Sequence, residues 1–98
     1  MTDRALQMLS LAMKAGKVVS GEFQTEEAVK GQKAFLVIVA TDASDNTKKK
    51  FHDKCSFYGI PVRDAGSKDA LGHAIGRASR ATVAVTDRSF ATGIMEKM

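Results

Sequence analysis

An uninterrupted apolar segment, Phe35 to Ala40, is the strongest constraint on the fold of this chain. It is short, contains β-branched residues and is bounded by Thr41 and Asp42, which is typical of a strand buried on both faces. A strand that is dry on both sides needs a layer of helices on each side of its sheet. The segment therefore predicts an α/β fold with this strand at the centre of the sheet.

The rest of the chain supplies helices and short strands around that segment. In several stretches apolar residues recur at spacings of three and four, with capping residues or glycine at the ends. Other stretches are short and β-branched or alternate in polarity, which predicts strands. In chain order we predict a helix capped by Asp3 and running to Gly16, a strand at Lys17–Ser20, a helix at Thr25–Gln32, the strand at 35–40, a helix capped by Ser44 or Asp45 and ended by Gly59, a strand from Pro61, a helix capped by Ser67 and ended by Gly76, an alternating strand at Thr82–Thr86 and a helix at Arg88–Met98.

Length and composition narrow the class of protein. The 98 residues suit one domain, 1–98, whose single thiol, Cys55, allows no internal disulfide. A lone thiol and a start without a leader-like pattern are typical of a reducing compartment, and no apolar segment approaches the ~18 residues of a membrane span. We therefore expect a cytoplasmic protein that makes no membrane contact. The net charge of +4 suits a polyanionic partner without requiring one.

Templates for catalysis are missing from the chain. Gly16 and Lys17 do not form a phosphate-binding loop, because Leu11 stands where that loop needs its first glycine, and no G-x-G-x-x-G occurs. A metal site needs several convergent ligands, and the chain has one cysteine and two histidines. His52 and Cys55 lie three apart on one helix, so they are either a nucleophile pair or a core cysteine beside a solvated histidine. We predict no catalytic residues, no metal and no cofactor.

Two groups of basic residues differ in what they indicate. Lys48–Lys50 is interpreted as a solvated helix face. Arg77 and Arg80 instead flank a helix-to-strand loop whose other residues, Ala78 and Ser79, are small. Such loops often carry binding residues, and two guanidinium groups on a deformable backbone suit the phosphates and splayed bases of RNA. The alternative is that they are ordinary surface arginines.

Four segments in register carry a resemblance to a known family. They are Gly16–Glu22 (GKVVSGE), Leu36–Ser44 (LVIVATDAS), Leu71–Arg77 (LGHAIGR) and Val83–Asp87 (VAVTD). Together they make the chain similar, over nearly its full length, to the large-subunit ribosomal proteins seven-Ae and thirty-e, and within that superfamily it resembles the bacterial YlxQ group. The resemblance implies a three-layer α/β/α sandwich with a small mixed sheet, RNA binding without catalysis, and association with ribosomes or other translation machinery.

The best-known ligand of that family is the kink-turn, a sharply bent RNA duplex with sheared G·A pairs. Its binders begin their second helix with Gly-Ala-Asn-Glu-x-x-Lys, and placing that glycine on Gly21 puts Glu22, Phe23, Gln24 and Glu27 at the Ala, Asn, Glu and Lys positions. Phe23 cannot donate to a base, Gln24 lacks the charge that strengthens acceptance, and Glu27 reverses a charge next to phosphate. Standard kink-turn recognition is therefore not expected, although the fold carries over.

A second surface implied by the resemblance is the loop after the fourth helix, which packs against a flipped-out base in kink-turn binders. Here it maps onto Arg77–Arg80, and nearby lysines are expected to add phosphate contacts. Phe23 is interpreted either as a base-stacking ring or as a hydrophobic staple of its helix. The predicted RNA-binding residues are Lys17, Gly21, Glu22, Phe23, Gln24, Glu27, Lys30, Lys68, Arg77, Ala78, Ser79 and Arg80.

Two functions from different classes remain open. The first is a non-catalytic, monomeric RNA-binding protein of ribosomal-protein type, which recognises structured RNA by charge and shape and has the ribosome as a candidate partner. The second is a protein-interaction module on the same scaffold, in which Glu22, Phe23, Glu26 and Glu27 form an acidic patch for a basic partner protein. In the first reading Glu26 and Glu27 are acids of the first helical turn.

Overall fold

The computed structural model describes residues 1–98, which form five helices and four strands. Every element predicted from the sequence is present, and the predicted ends differ from the observed ones by at most three residues. In chain order the elements are α1 (Asp3–Lys14), β1 (Val18–Ser20), α2 (Glu22–Lys30), β2 (Leu36–Val39), α3 (Asp45–Tyr58), β3 (Val62–Asp64), α4 (Lys68–Ala74), β4 (Thr82–Val85) and α5 (Arg88–Lys97).

β2 and β4 are the two inner strands of a sheet with the order β1-β4-β2-β3. β4 runs antiparallel to both of its neighbours, whereas β2 and β3 are parallel, so the sheet is mixed as expected. Every residue of β2 and of β4 is buried. β2 therefore shares the centre with β4, and the alternating sequence of β4 does not mark a wet face, because helices cover both sides of the sheet.

The helices form one layer on each face of the sheet. α2 packs with α3, and α1 packs with α4 and α5. The buried apolar side chains between these layers make one continuous core, in which Phe51, Leu9 and Leu36 are among the largest. This arrangement is the three-layer α/β/α sandwich that the sequence predicted.

Two helices begin earlier than predicted. Gly21 is the N-cap of α2, with a φ of 89° that residues other than glycine rarely adopt. Thr25 has a suitable side chain for a cap, but its hydroxyl is buried and accepts a hydrogen bond from the hydroxyl of Thr82, 3.2 Å away. α1 is capped by Thr2 rather than Asp3, because the Thr2 hydroxyl accepts the capping hydrogen bond and Asp3 is already helical.

The two ends of the sheet carry different parts of the chain. At the upper end, β1, β2 and β3 finish and β4 begins; at the lower end, the first three strands begin and β4 finishes. α2, α3 and α4 all begin at the upper end, because each follows a strand that finishes there. None of the helices has the length and apolar character needed to cross a bilayer.

Candidate nucleic-acid interface

The upper end of the sheet gathers the starts of three helices and one loop. α2, α3 and α4 have their first turns at this end, and the 75–81 loop returns to it before β4. Ser44 and Ser67 cap α3 and α4 with their hydroxyls, while Gly21 offers α2 no side-chain cap. The first turns of helices carry unpaired N–H groups and partial positive charge, so this end favours an anion.

Arg80 ties the loop to two neighbouring elements. Its Nε donates to Oγ of Ser20, 3.2 Å away, at the end of β1. Its backbone N–H donates to the carbonyl of Lys68 at 3.0 Å, in the first turn of α4. Its Nη1 donates to the carbonyl of Ser79 at 3.0 Å. The guanidinium group is thus held beside the start of α2, where Gly21 follows Ser20.

Gly72 of α4 allows the 75–81 loop to pack closely against the helix. A Cβ built on Gly72 would lie 1.9 Å from the carbonyl oxygen of Ala78 and 2.9 Å from Cα of Ser79, so only glycine allows this approach. The N–H of Arg77 donates to the Gly72 carbonyl at 2.8 Å, which begins the return of the chain. The sequence prediction missed this role, although a glycine in the middle of a predicted helix is a signal for close packing.

Phe23 lies in the first turn of α2 with 70% of its surface exposed. A staple side chain would be packed against its helix, so that alternative is wrong. Gln24 and Glu27 line a cavity of about 190 Å³ together with Val19 and Thr86. Of the side chains placed on the kink-turn motif, Phe23 is therefore free to stack on an unpaired base.

The acids of α2 that face α3 are paired within the chain. Glu26 lies 2.8 Å from Nζ of Lys50 and 3.3 Å from Nζ of Lys54, and Glu22 lies 3.2 Å from Nζ of Lys50. The hydrogen bond from Lys50 lowers the pKa of Glu26 to about 2 against the opposing effect of burial, with a further contribution from Lys54. The hydrogen bonds to Glu26 and Glu22 raise the pKa of Lys50. Because α2 begins at Glu22, the prediction of Glu26 as a first-turn acid is wrong, and it instead bridges α2 to α3.

This bridge weakens the case for an acidic docking patch. Two of the three carboxylates of that patch, Glu22 and Glu26, already neutralise lysines, which leaves Glu27. The solvated-face interpretation of Lys48–Lys50 also needs correction, since Lys50 is bound to α2. The protein-interaction alternative therefore loses most of the negative charge on which it depends.

The predicted lysines lie in different places. Lys68 begins α4 at the upper end, where its carbonyl bonds to Arg80. Lys17 precedes β1 at the lower end of the sheet. Lys30 is in the last turn of α2 and pairs with Glu26 at 3.4 Å. The structure thus brings Lys68 to the loop and leaves Lys17 and Lys30 away from it.

The one candidate nucleophile is inert. Cys55 is fully buried, and burial raises its pKa to about 11, so the thiol stays protonated. His52 is bonded to β3, where its Nε2 lies 2.7 Å from Oδ1 of Asp64. Cys55 is therefore a core residue, the second of the two predicted alternatives. No cluster of three or more His, Cys, Asp and Glu side chains is placed to hold a metal ion.

The sequence matches one family over nearly its whole length. The sequence model of the ribosomal protein L7Ae/L30e/S12e/Gadd45 family matches residues 3–94. The chain belongs to this family. The resemblance to the seven-Ae and thirty-e proteins that the four sequence segments indicated is thereby confirmed.

Curated relatives in the L7Ae family share much of the sequence. RNA-binding protein YlxQ of Bacillus subtilis (strain 168) is 43% identical over 88 residues, which cover 90% of this chain and 88% of that protein. A protein of the same name from Enterococcus faecium is 40% identical over 89 residues, which cover 91% and 85% respectively. The similarity to the YlxQ group is confirmed, and these relatives are not named as enzymes, in agreement with the prediction of a non-catalytic chain.

Solved structures share the L7Ae-family fold. A Bacillus halodurans protein described as of unknown function superposes with a TM-score of 0.93 at 38% identity, covering 97% of this chain and 96% of that one. The 15.5kD RNA binding protein of Giardia lamblia superposes with a TM-score of 0.78 at 25% identity, covering 93% and 78% respectively. The fold is thus kept where most residues differ.

Proposed function

We propose that the chain binds structured RNA at the upper end of the sheet, through the start of α2 and the Arg77–Arg80 loop. The observation that carries the proposal is the 3.2 Å hydrogen bond from Nε of Arg80 to Ser20, which joins these two parts into one surface. The names of the relatives support it, since those from Bacillus subtilis, Enterococcus faecium and Giardia lamblia are called RNA-binding proteins. No catalytic step belongs to this function.

Charge is the main source of affinity in this proposal. Arg77, Arg80 and Lys68 form no ion pair within the chain, so each is free to displace a counterion from a phosphate. The first turns of α2 and α3 add partial positive charge at the same end. Phe23 supplies an exposed ring for an unpaired base. Binding is therefore expected to depend on the shape of the RNA more than on its sequence.

Standard kink-turn recognition is not part of the proposal. Phe23, Gln24 and Glu27 stand where kink-turn binders carry Asn, Glu and Lys, and no lysine or arginine pairs with Glu27 to neutralise it. We propose a structured RNA of the ribosome or of other translation machinery as the ligand, bound in the cytoplasm by the monomeric chain.

Affinity measured against salt concentration tests the surface. The wild-type affinity should fall steeply with salt, and the double change Arg77→Ala with Arg80→Ala should reduce the slope of log K against log salt by about 2, roughly one for each lost phosphate contact. Arg80→Lys separates charge from position, because it keeps the charge and loses the Nε bond to Ser20. A flat salt dependence, or unchanged affinity in the double variant, would refute this surface.

Matched controls make the test specific. Lys14→Ala with Arg88→Ala removes the same net charge from exposed, unpaired residues that lie towards the lower end, so the slope should stay nearly unchanged. Nuclease treatment of a cell extract separates RNA from a protein partner. Complexes held by RNA should release the chain, whereas complexes held through the acidic patch of α2 should persist.

A further inference from the structure

A groove at the lower end of the sheet lies outside the proposed RNA surface. It has a volume of about 360 Å³ and opens between α5 and the starts of β2 and β3. None of the 8 residues that line this lower-end groove is Lys, Asp or Glu. Its walls include Phe35, Gly59, Pro61, Arg88, Thr92 and Met95.

Arg88 is the only charged residue of the lower-end groove. Its guanidinium carbon lies 5.3 Å from the centre of the Phe35 ring, so the group is held over an aromatic face. Arg88 forms no ion pair in the chain, and the adjacent Asp87 is occupied as the N-cap of α5. A guanidinium held in this way has N–H edges free to take a carboxylate through two hydrogen bonds.

An exposed aromatic residue outside the groove lies near the end of α3. Phe57, two residues before Gly59, is 82% exposed. Its ring meets that of Tyr58 edge-on, with 5.0 Å between the centroids. Aromatic, Met and Arg residues are enriched in the cores of protein interfaces, from which Lys, Asp and Glu are depleted. Phe35, Arg88 and Met95 of the lower-end groove belong to the enriched classes, and the groove contains no Lys, Asp or Glu.

We propose that the lower-end groove docks a segment of a partner protein that carries an apolar side chain next to a carboxylate. The apolar side chain packs against Phe35, Pro61 and Met95, and the carboxylate pairs with Arg88. Charge complementarity selects an acidic segment over a basic one, because the groove holds one unpaired cation and no acid. RNA is disfavoured, since a single cation cannot neutralise a run of phosphates.

This docking site goes beyond the proposed RNA function and does not depend on it. The Arg77–Arg80 loop and the start of α2 lie at the upper end of the sheet, and the groove lies at the lower end. One molecule is therefore able to hold RNA and a protein segment at the same time.

Selection of random short peptides displayed on phage against the full chain tests the docking site. The enriched peptides should carry Asp or Glu beside Leu, Ile, Phe or Trp. On titration they should shift the backbone amide NMR signals of Phe35, Thr92 and Met95, and leave those of Phe23 and Arg80 in place. Enriched peptides that lack acidic residues, or that shift amides elsewhere, would overturn the proposal.

Two variants block the groove in different ways. Arg88→Glu reverses its charge, and Thr92→Trp fills it from an exposed position without removing core atoms. Each should weaken peptide binding at least about tenfold, which is ~1.4 kcal/mol. Arg4→Glu is the matched control, because it makes the same charge change on an exposed arginine of α1 and should bind the peptides like the wild type.

Equal peptide binding by Arg88→Glu and Arg4→Glu would overturn the docking site. So would RNA oligonucleotides that shift the groove amides with higher affinity than the peptides do. RNA binding at the upper end should be unchanged in Thr92→Trp, which alters no charge. Failure of the wild type to bind any RNA would count against the proposed function alone, because the peptide result is read separately.

Discussion

Gly72 occupies a position that a larger residue fills only by moving the loop. An added Cβ would overlap the carbonyl oxygen of Ala78, and both sides of that contact are backbone. We expect Gly72→Ala to destabilise the fold by about 2 kcal/mol or more. RNA affinity should fall as well, because Arg77 and Arg80 move with the displaced backbone. Urea unfolding and RNA titration measure the two effects.

Gly93 provides the matched control for that change. It also lies within a helix, but the atom its Cβ would meet is the flexible end of Met8, at 3.3 Å. Gly93→Ala gains helix propensity worth up to ~1 kcal/mol, so its stability should be equal to or above that of the wild type. Similar destabilisation by the two alanines would contradict the special role of Gly72.

Glu26 should make stability depend on pH in the acid range. Its pKa is about 2 in the folded chain against a usual 4.5, so its ion pairs stabilise the fold fully above the usual value and lose that effect as the pH falls towards 2. We expect Glu26→Gln to cost about 1 kcal/mol at neutral pH, because solvent screens the partly exposed lysines with which Glu26 pairs. Urea unfolding should show the gap closing in acid. Glu27→Gln is the control, because it removes no ion pair and should cost less at neutral pH.

The side chains at the start of α2 should decide what kind of RNA the chain distinguishes. We expect the wild type to discriminate poorly between a kink-turn and a duplex without sheared G·A pairs. The triple change Phe23→Asn, Gln24→Glu and Glu27→Lys should gain at least about tenfold discrimination, because each good base contact is worth ~1–3 kcal/mol. Glu27→Lys alone should raise affinity for both RNAs alike. Strong kink-turn preference in the wild type would contradict the substitution argument.

At the scale of elements, a hydrogen bond between two buried hydroxyl groups joins α2 to β4. Thr25 and Thr82 are the only buried polar residues, and the carbonyl of Thr82 also accepts from the N–H of Gly21 at 3.0 Å. Thr25→Val or Thr82→Val alone leaves one buried hydroxyl unpaired, which should cost about 1–3 kcal/mol. The double change should cost less than the sum, because it leaves no orphan. A double-mutant cycle by urea unfolding measures this coupling, and strictly additive costs would argue against the bond.

Elements with a strong local signal could be predicted from the sequence. The apolar segment Phe35–Ala40 favours a strand buried on both faces. Ser44 and Ser67 each cap a helix by accepting a hydrogen bond from an N–H only three residues further along the chain. The start of α2 was missed because Gly21 caps without a side chain. The burial of Thr25 inside α2 has no local pattern either, because its bond to Thr82 spans 57 positions of the chain.

The hydrogen bonds between surface residues could not be predicted either, because their partners are far apart in the sequence. Arg80 meets Ser20 across 60 positions, and Glu22 meets Lys50 across 28, so neither pairing has a local pattern in the sequence. The sequence indicated that Arg77–Arg80 is a basic loop. It indicated Lys17, Lys30 and Lys68 alike as neighbours of that loop, whereas only Lys68 lies beside it.

At the scale of the whole molecule, the layers were predictable, because one strand buried on both faces between helical segments leaves few arrangements. The family was predicted from the resemblance of four sequence segments. The placement of the two proposed binding sites at opposite ends of the sheet was not predictable. It arises from strand order, since β4 begins where β1 and β2 finish. That reversal sets the Arg77–Arg80 loop at the start of α2 and places Arg88, just after β4, against Phe35 at the other end.

The borders of the sheet have a consequence for how copies of the chain behave together. β1 and β3, the outermost strands, have three residues each, and Arg63 and Asp64 on β3 are exposed. Outer strands this short, one of which carries exposed charges, offer a neighbouring chain few free backbone amides for pairing. Crowded solutions should therefore stay dispersed rather than grow into fibrils.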